Sequence, residues 1–276
     1  MQPIESTYKA PDGVTLFRRE WVPEKPRVAV VLIHGLGEHS GRYQHVADTM
    51  TAAGIAVFSM DLRGHGKTEG VRGFAPSYEA ILKDIDALVA HAREVVPGKP
   101  VFLYGHSMGG SLGLYYGFTR PGKLNGYIIT APGLKTAKPV PPAKLFAANL
   151  LSKLAPRLTM NNDLELTGLS RDSTVVDIYK SDPLVHPLIS ARLGAELIGT
   201  GEWMLAHASE FKEPLLLMQG TGDRLVSPPA TAEFASKVTG ETLFKTYDGW
   251  YHELHNEPDK EQVIKVMVDW ILEHSK

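Results

Sequence analysis

The sequence predicts an α/β fold: a mostly parallel central sheet with helices on both faces and a helical insertion late in the chain. Three observations carry this. Apolar runs of strand length recur between turn residues, and amphipathic helical patterns alternate with them. One glycine-rich strand-to-helix turn, VFLYGHSMGGSLG over residues 101–113, holds a serine at its apex. With 276 residues there is room for one large domain.

The elements follow in order. Pro11-Asp12-Gly13 is turn chemistry and joins two short strands in a hairpin across Tyr8–Val14. VAVVLI (28–33), bounded by Pro26 and Gly35, is apolar throughout, as a strand buried on both faces should be. IAVFSM (55–60), VFLY (101–104), YIIT (127–130), LLLM (215–218) and LFKTY (243–247) supply further strands. Tyr78, Ile81, Leu82, Ile85, Leu88, Val89 and Ala92 keep helical spacing along one face, as do Val263, Val266, Met267, Trp270 and Ile271 near the carboxyl end. Strand alternating with helix implies parallel pairing. Between Leu134 and about Ala208 the buried-strand signal disappears. Pro139, Pro141 and Pro142 precede an apolar helix candidate, Ala143–Leu154, and irregular stretches follow, including Tyr179-Lys-Ser-Asp-Pro183. The organisation expected is a single domain over 1–276, with a core at 1–133 and 209–276 and a cap at about 134–208 over the strand ends, where open α/β sheets bind ligands.

Composition narrows the function classes. The chain is 43% hydrophobic and 22% charged, which fits a globular protein with a sizeable core. A formal charge of −2 leaves no electrostatic footprint for nucleic acid. The amino terminus has no apolar signal region and no window has 18 consecutive apolar residues, so a cytoplasmic protein is expected. With no cysteine, thiol nucleophiles, disulfides and thiolate metal sites are excluded.

Chemistry converges on the serine. In Gly105-His106-Ser107-Met108-Gly109 the glycines permit a sharp turn that holds the Ser107 hydroxyl clear of the sheet. The first N–H groups of the following helix face the same point and favour an anion there. A serine needs an oriented base to become a nucleophile. The loop after LLLM carries Asp223, and the loop after LFKTY carries His252, so the chain order is Ser, Asp, His. Asp223 would fix the imidazole tautomer and His252 would move the proton. Asp248 is an alternative acid, but lies too close to His252 in sequence for a comfortable pairing between strand ends. His255 is an alternative base, and His252 is preferred because it follows the turn more closely. The backbone N–H groups of Leu36, in the His34-Gly35-Leu36-Gly37 loop after the first buried strand, and of Met108 are assigned as the oxyanion hole.

Three other patterns fail on inspection. Gly35-Leu36-Gly37 has Ser40 where a dinucleotide fingerprint needs its third glycine, and Gly66-Lys67-Thr68 has Asp61 where a P-loop needs its first. His252-Glu253-Leu254-His255 is one residue short of a zinc-protease helix. No metal and no nucleotide cofactor is expected.

HGLGEHSGRY (34–43), DLRGHGKTEG (61–70), YGHSMGG (104–110), VDIYKSDP (176–183), GTGDRLVSP (220–228) and YHELHNE (251–257) together closely resemble the monoacylglycerol lipases of the α/β-hydrolase superfamily, in their bacterial form. The resemblance covers nearly the whole chain, matching less tightly in the insertion before Asn161. It implies an α/β-hydrolase fold and cofactor-free hydrolysis of a small lipid ester, a monoacylglycerol, to glycerol and a fatty acid. It also implies the triad Ser107, Asp223 and His252, the oxyanion hole at Leu36 and Met108, and a headgroup pocket of Glu38, Arg42, His106, Tyr179 and His255. Glu38 and Arg42 have the alternative of an ion pair that positions their loop, and His106 that of a packed neighbour. Asp61–Gly66 reads as a structural loop. Leu36 stands where animal members carry alanine, a change bearing on pocket width or chain-length preference. The helix candidate with Leu145, Phe146, Leu150, Leu151 and Leu154 is apolar around more than half its circumference. One face is expected on the core, and transient contact of the remainder with lipid surfaces is an alternative to packing alone. The rival activities are a lysophospholipase or broad carboxylesterase using the same triad, and a hydrolase-fold protein that only senses a ligand.

Overall fold

A computed structural model describes residues 1–276. Strands β1 (Ile4–Lys9) and β2 (Thr15–Trp21) form the amino-terminal hairpin, with Gly13 at φ +87° in its turn. There follow β3 (Val28–Ile33), α1 (Gln44–Ala52), β4 (Ile55–Met60), α2 (Tyr78–Val95), β5 (Val101–His106), α3 (Met108–Thr119) and β6 (Gly126–Thr130). The chain then leaves the sheet for α4 (Pro142–Leu154), β7 (Thr159–Asn161), α5 (Ser173–Ser181), β8 (Leu188–Ser190) and α6 (Ala191–Ala206). It returns for β9 (Leu215–Gly220), α7 (Pro228–Lys237), β10 (Thr242–Tyr247) and α8 (Lys260–Glu273). The fold is that of the α/β-hydrolases: eight strands in the order β1-β2-β4-β3-β5-β6-β9-β10. β1, β2 and β4 pair antiparallel, and β4, β3, β5, β6, β9 and β10 pair parallel.

Side-chain alternation divides the core between the two faces of the sheet. Ala29, Val31, Ile33, Leu103, Ile129 and Leu217 point to one face, where α2, α3 and α6 cover them. Val28, Val30, Leu32, Phe102, Tyr104 and Ile128 point to the other, under α1 and α8. Strands apolar on every residue are thereby explained, since neither face meets water. The parallel strands share a polarity, so the loops after β3, β5, β9 and β10 emerge along one edge. Asp61–Gly66 is a structural loop, as expected: Asp61 accepts from the backbone N–H groups of Ser40 and Lys67, and Arg63 pairs with Asp84.

Between β6 and β9 the structure departs from expectation in three ways. The segment contains a small antiparallel ribbon, β7 with β8, whose three-residue strands are too short to leave a periodic signal. Tyr179, expected in an irregular stretch, sits inside α5, which Asp172 caps through the N–H of Thr174. Finally, α4 packs against α6 rather than on the sheet core, and Phe146, Leu150 and Leu154 are exposed. The segment is tied back by main-chain bonds. His252 N–H donates to Gly168 O (3.3 Å), Glu253 N–H to Leu169 O (2.7 Å), and His186 N–H to Gly37 O (3.0 Å).

Candidate active site

Ser107 stands between β5 and α3 with φ +56° and ψ −118°, a backbone conformation costly for a residue with a Cβ. The surroundings enforce it. A Cβ on Gly109 would lie 2.1 Å from Ile33 O, and one on Gly105 would lie 2.3 Å from Gly109 O, so only glycine lets the turn close this tightly. Ser107 N–H donates to Thr130 O and Ser107 O accepts from Ser111 N–H, which leaves the side chain as the group presented outward.

His252 and Asp223 meet as the chain order predicted: His252 Nδ1 lies 2.8 Å from Asp223 Oδ2. Asp223 is itself held, with Oδ1 accepting from the N–H groups of Leu225 (2.8 Å) and Val226 (3.0 Å), and Oδ2 accepting from Gln219 Nε2 (3.0 Å). Asp248 instead accepts from Thr221 Oγ1 in an exposed turn and takes no part. Burial works against ionisation of Asp223, yet the imidazole and the two N–H donors outweigh it and keep the carboxyl below its ordinary pKa. Burial likewise pulls His252 down, but Asp223 opposes it, joined by Glu253 and Glu38, and the net direction is up. Nδ1–H donating to Asp223 leaves Nε2 as the acceptor. Ser107 and His252 line the same cavity without a direct hydrogen bond between them. Such bonds are commonly long before substrate binds.

Leu36 and Met108 line this cavity as well. Met108 opens α3, so its N–H is among those a helix leaves unpartnered. The Leu36 loop is held from behind. Glu38 Oε1 accepts from Gly35 N–H (2.6 Å), while His34 Nε2 accepts from Leu62 N–H (2.9 Å) and its Nδ1 lies 2.7 Å from Gly35 O.

Of the five expected headgroup residues, three line the cavity: Glu38, His106 and Tyr179. Arg42 and His255 do not. The Arg42 guanidinium is drawn away by carboxylates, pairing with Glu38 (2.5 Å) and, through both terminal nitrogens, with Glu253 (2.7 Å each), with Tyr179 4.8 Å over it. His255 is fully buried behind the cavity wall, stacked 4.6 Å from Tyr43 and 3.3 Å from Tyr104 Oη. Glu253 takes a place that sequence reasoning misses: it lines the cavity and completes the Glu38–Arg42–Glu253 bridge. Its position directly after His252 was the available signal. The ion pair considered for Glu38 and Arg42 is thus present, and Glu38 also faces the cavity. Burial would raise the Glu38 pKa, but Arg42, His106, His34 and the Tyr43 hydroxyl together bring it down to about 2. Burial and the neighbouring His252 push His106 down to about 4, so it is neutral at pH 7.

The cavity, about 260 Å³, is polar at this end and apolar elsewhere, with Leu134, Val140, Leu145, Leu197 and Leu225 among its walls. A second cavity of about 420 Å³ continues from it beneath α4, sharing Leu36, Leu145 and Leu197 as wall residues.

Comparison with known proteins agrees with this geometry. A family model described as Hydrolase_4, serine aminopeptidase, S33, matches residues 24–259. An uncharacterised abhydrolase domain-containing protein of Dictyostelium discoideum is 41% identical over 266 residues, which are 95% of this chain and 28% of that longer relative. A monoacylglycerol lipase of Mycolicibacterium smegmatis is 36% identical over 273 residues, 98% of this chain and 97% of that one. The crystal structure of a Paleococcus ferrophilus monoacylglycerol lipase superposes with a TM-score of 0.88 at 34% identity, covering 94% of this chain and 99% of that one.

Proposed function

Because this chain belongs to the S33 family of α/β-hydrolases, and within it to the monoacylglycerol lipase-like carboxylic ester hydrolases, we propose that it hydrolyses monoacylglycerols, with Ser107, His252 and Asp223 as its triad. His252 takes the Ser107 proton as Oγ attacks the ester carbonyl carbon. The tetrahedral oxyanion accepts from the N–H groups of Leu36 and Met108. His252 then returns the proton to the departing glycerol oxygen, leaving an acyl-serine. Water, deprotonated by the same imidazole, attacks that ester and releases the fatty acid. Residues 134–208 act as the cap that walls the apolar part of the site. Exposed Phe146, Leu150 and Leu154 on α4 are the part of that cap suited to touch a lipid surface.

The observation that carries the choice of alcohol is the charge of the polar end. Two carboxylates, Glu38 and Glu253, share one guanidinium, Arg42, so the bridge keeps a net negative charge beside the cavity. Carboxylate oxygens can accept from the free hydroxyls of glycerol, whereas the phosphodiester of a lysophospholipid would meet like charge with little solvent between. A diacylglycerol would press a second apolar chain against those charged groups where the hydroxyls of glycerol would otherwise lie. The test compares kcat/KM for monoacylglycerol, diacylglycerol and lysophosphatidylcholine of one chain length. The monoacylglycerol should lead by at least about 10-fold; equal rates on all three would remove the glycerol assignment. Fluorophosphonate labelling followed by mass spectrometry should place the tag on Ser107, and catalytic turnover before labelling separates an enzyme from a ligand sensor.

A further inference from the structure

Helix α6 carries three glycines, and a mid-helix glycine is destabilising relative to alanine, so each asks for a reason. Gly201 has a packing reason: a Cβ there would lie 2.3 Å from Leu134 O. Gly199 is exposed, with nothing within 4 Å of such a Cβ. Gly194 differs from both. A Cβ there would meet only the Ile189 side chain, at an ordinary 3.6 Å, and both residues line the second cavity. The fold does not require glycine at 194, and a bulky side chain there would take up space in the cavity that Gly194 lines. The α4 side of the cavity includes Ala147 and Ala148, so small residues also face it from that helix.

We propose that Gly194 is a specificity-determining residue for acyl length: it keeps open the second cavity, which takes the distal part of an acyl chain whose carbonyl sits at Ser107. The shared wall at Leu36, Leu145 and Leu197 is where the chain passes from the first cavity to the second. The inference rests on the ester-hydrolysing site proposed above and is independent of the alcohol released.

The test therefore uses p-nitrophenyl esters, which carry no glycerol, from butyrate to laurate, below the concentrations at which they aggregate. Each methylene left in water rather than buried costs about 4-fold in kcat/KM, so displacing three or four lowers turnover of the longest ester by roughly 100-fold. Gly194→Phe should show that loss on laurate while butyrate changes less than about 2-fold, and Gly194→Ala should leave both nearly unchanged. Ala148→Phe fills the same space from α4, a helix with little burial to lose, and should truncate the profile in the same way if Gly194→Phe does not fold. A folded Gly194→Phe or Ala148→Phe protein with the wild-type chain-length profile would overturn the proposal. A wild-type preference for lysophosphatidylcholine over monoacylglycerol would instead overturn only the choice of glycerol.

Discussion

Replacing Glu38 by glutamine tests the bridge behind the oxyanion loop. Glu38 accepts from Gly35 N–H at 2.6 Å, Tyr43 Oη at 2.7 Å and Arg42 Nη1 at 2.5 Å. Its side chain is almost fully buried, so solvent screens little of this. Although burial favours the neutral acid, the partners lower the pKa from 4.5 to about 2. Removing one charge from a buried ion pair costs on the order of 3 kcal/mol, because the partner is left uncompensated. Glutamine keeps an oxygen for Gly35 and Tyr43 but offers Arg42 no charge, so Glu38→Gln should lose about 3 kcal/mol at pH 7, or roughly 5–10 °C in Tm. The dependence on pH follows from the sign. A carboxyl whose pKa is depressed on folding contributes fully above 4.5 and loses its contribution as pH falls towards 2. Urea unfolding at pH 7, 5, 4 and 3 should therefore show a gap between wild type and variant that is full at pH 7 and narrows below 4.5. A gap under about 1 kcal/mol at pH 7, or one that stays constant down to pH 3, would refute the reasoning.

Asp223→Asn removes the group that orients His252 and should lower kcat on p-nitrophenyl butyrate by about 10,000-fold with little change in KM. Because the His252 pKa is raised on folding and the base must be unprotonated, the acid limb of kcat/KM should lie above pH 6.5; Glu253→Gln should move it lower. Gly109→Ala should fail to give active enzyme, since its Cβ would fall 2.1 Å from Ile33 O, and circular dichroism with thermal melts would show the destabilisation. Leu150→Glu, on the exposed face of α4, should abolish any rate increase produced by micelles while leaving monomeric ester turnover unchanged; loss of both rates would assign Leu150 to the site instead.

Where one physical cause dominates a segment, the sequence shows its structure plainly. VAVVLI and LLLM have no polar residue to place, so only a doubly covered strand accommodates them. Gly105 and Gly109 bracket Ser107 because the turn admits no Cβ, and loops that follow parallel strands must share an edge, which brings Asp223 to His252. The insertion was harder to read because its elements are short and each is determined by its neighbours. Three-residue strands carry no alternation, and α5 ends just before Pro183, whose presence made the whole stretch look irregular. The polar end was half legible. Glu38, His106 and Tyr179 line the cavity, but whether an arginine faces it or turns from it depends on a carboxylate from another loop. Glu253 supplied that carboxylate, and Arg42 followed it.

The main-chain bonds from His252 and Glu253 to Gly168 and Leu169 constrain how substrate can reach the serine. They fasten the rear of the insertion to the loop that bears the imidazole, so any swing of that half would carry His252 out of register with Asp223. Lys135–Ala137 is fastened likewise to the loop that bears Asp223, through Ser227 N–H to Lys135 O (2.8 Å) and Ala137 N–H to Leu225 O (3.0 Å), which leaves α4, with Phe146, Leu150 and Leu154 exposed, as the part tied to neither loop. On the triad proposed above, base and acid are then both anchored to the insertion, and the mutations able to loosen α4 without slowing proton transfer are those on its exposed face.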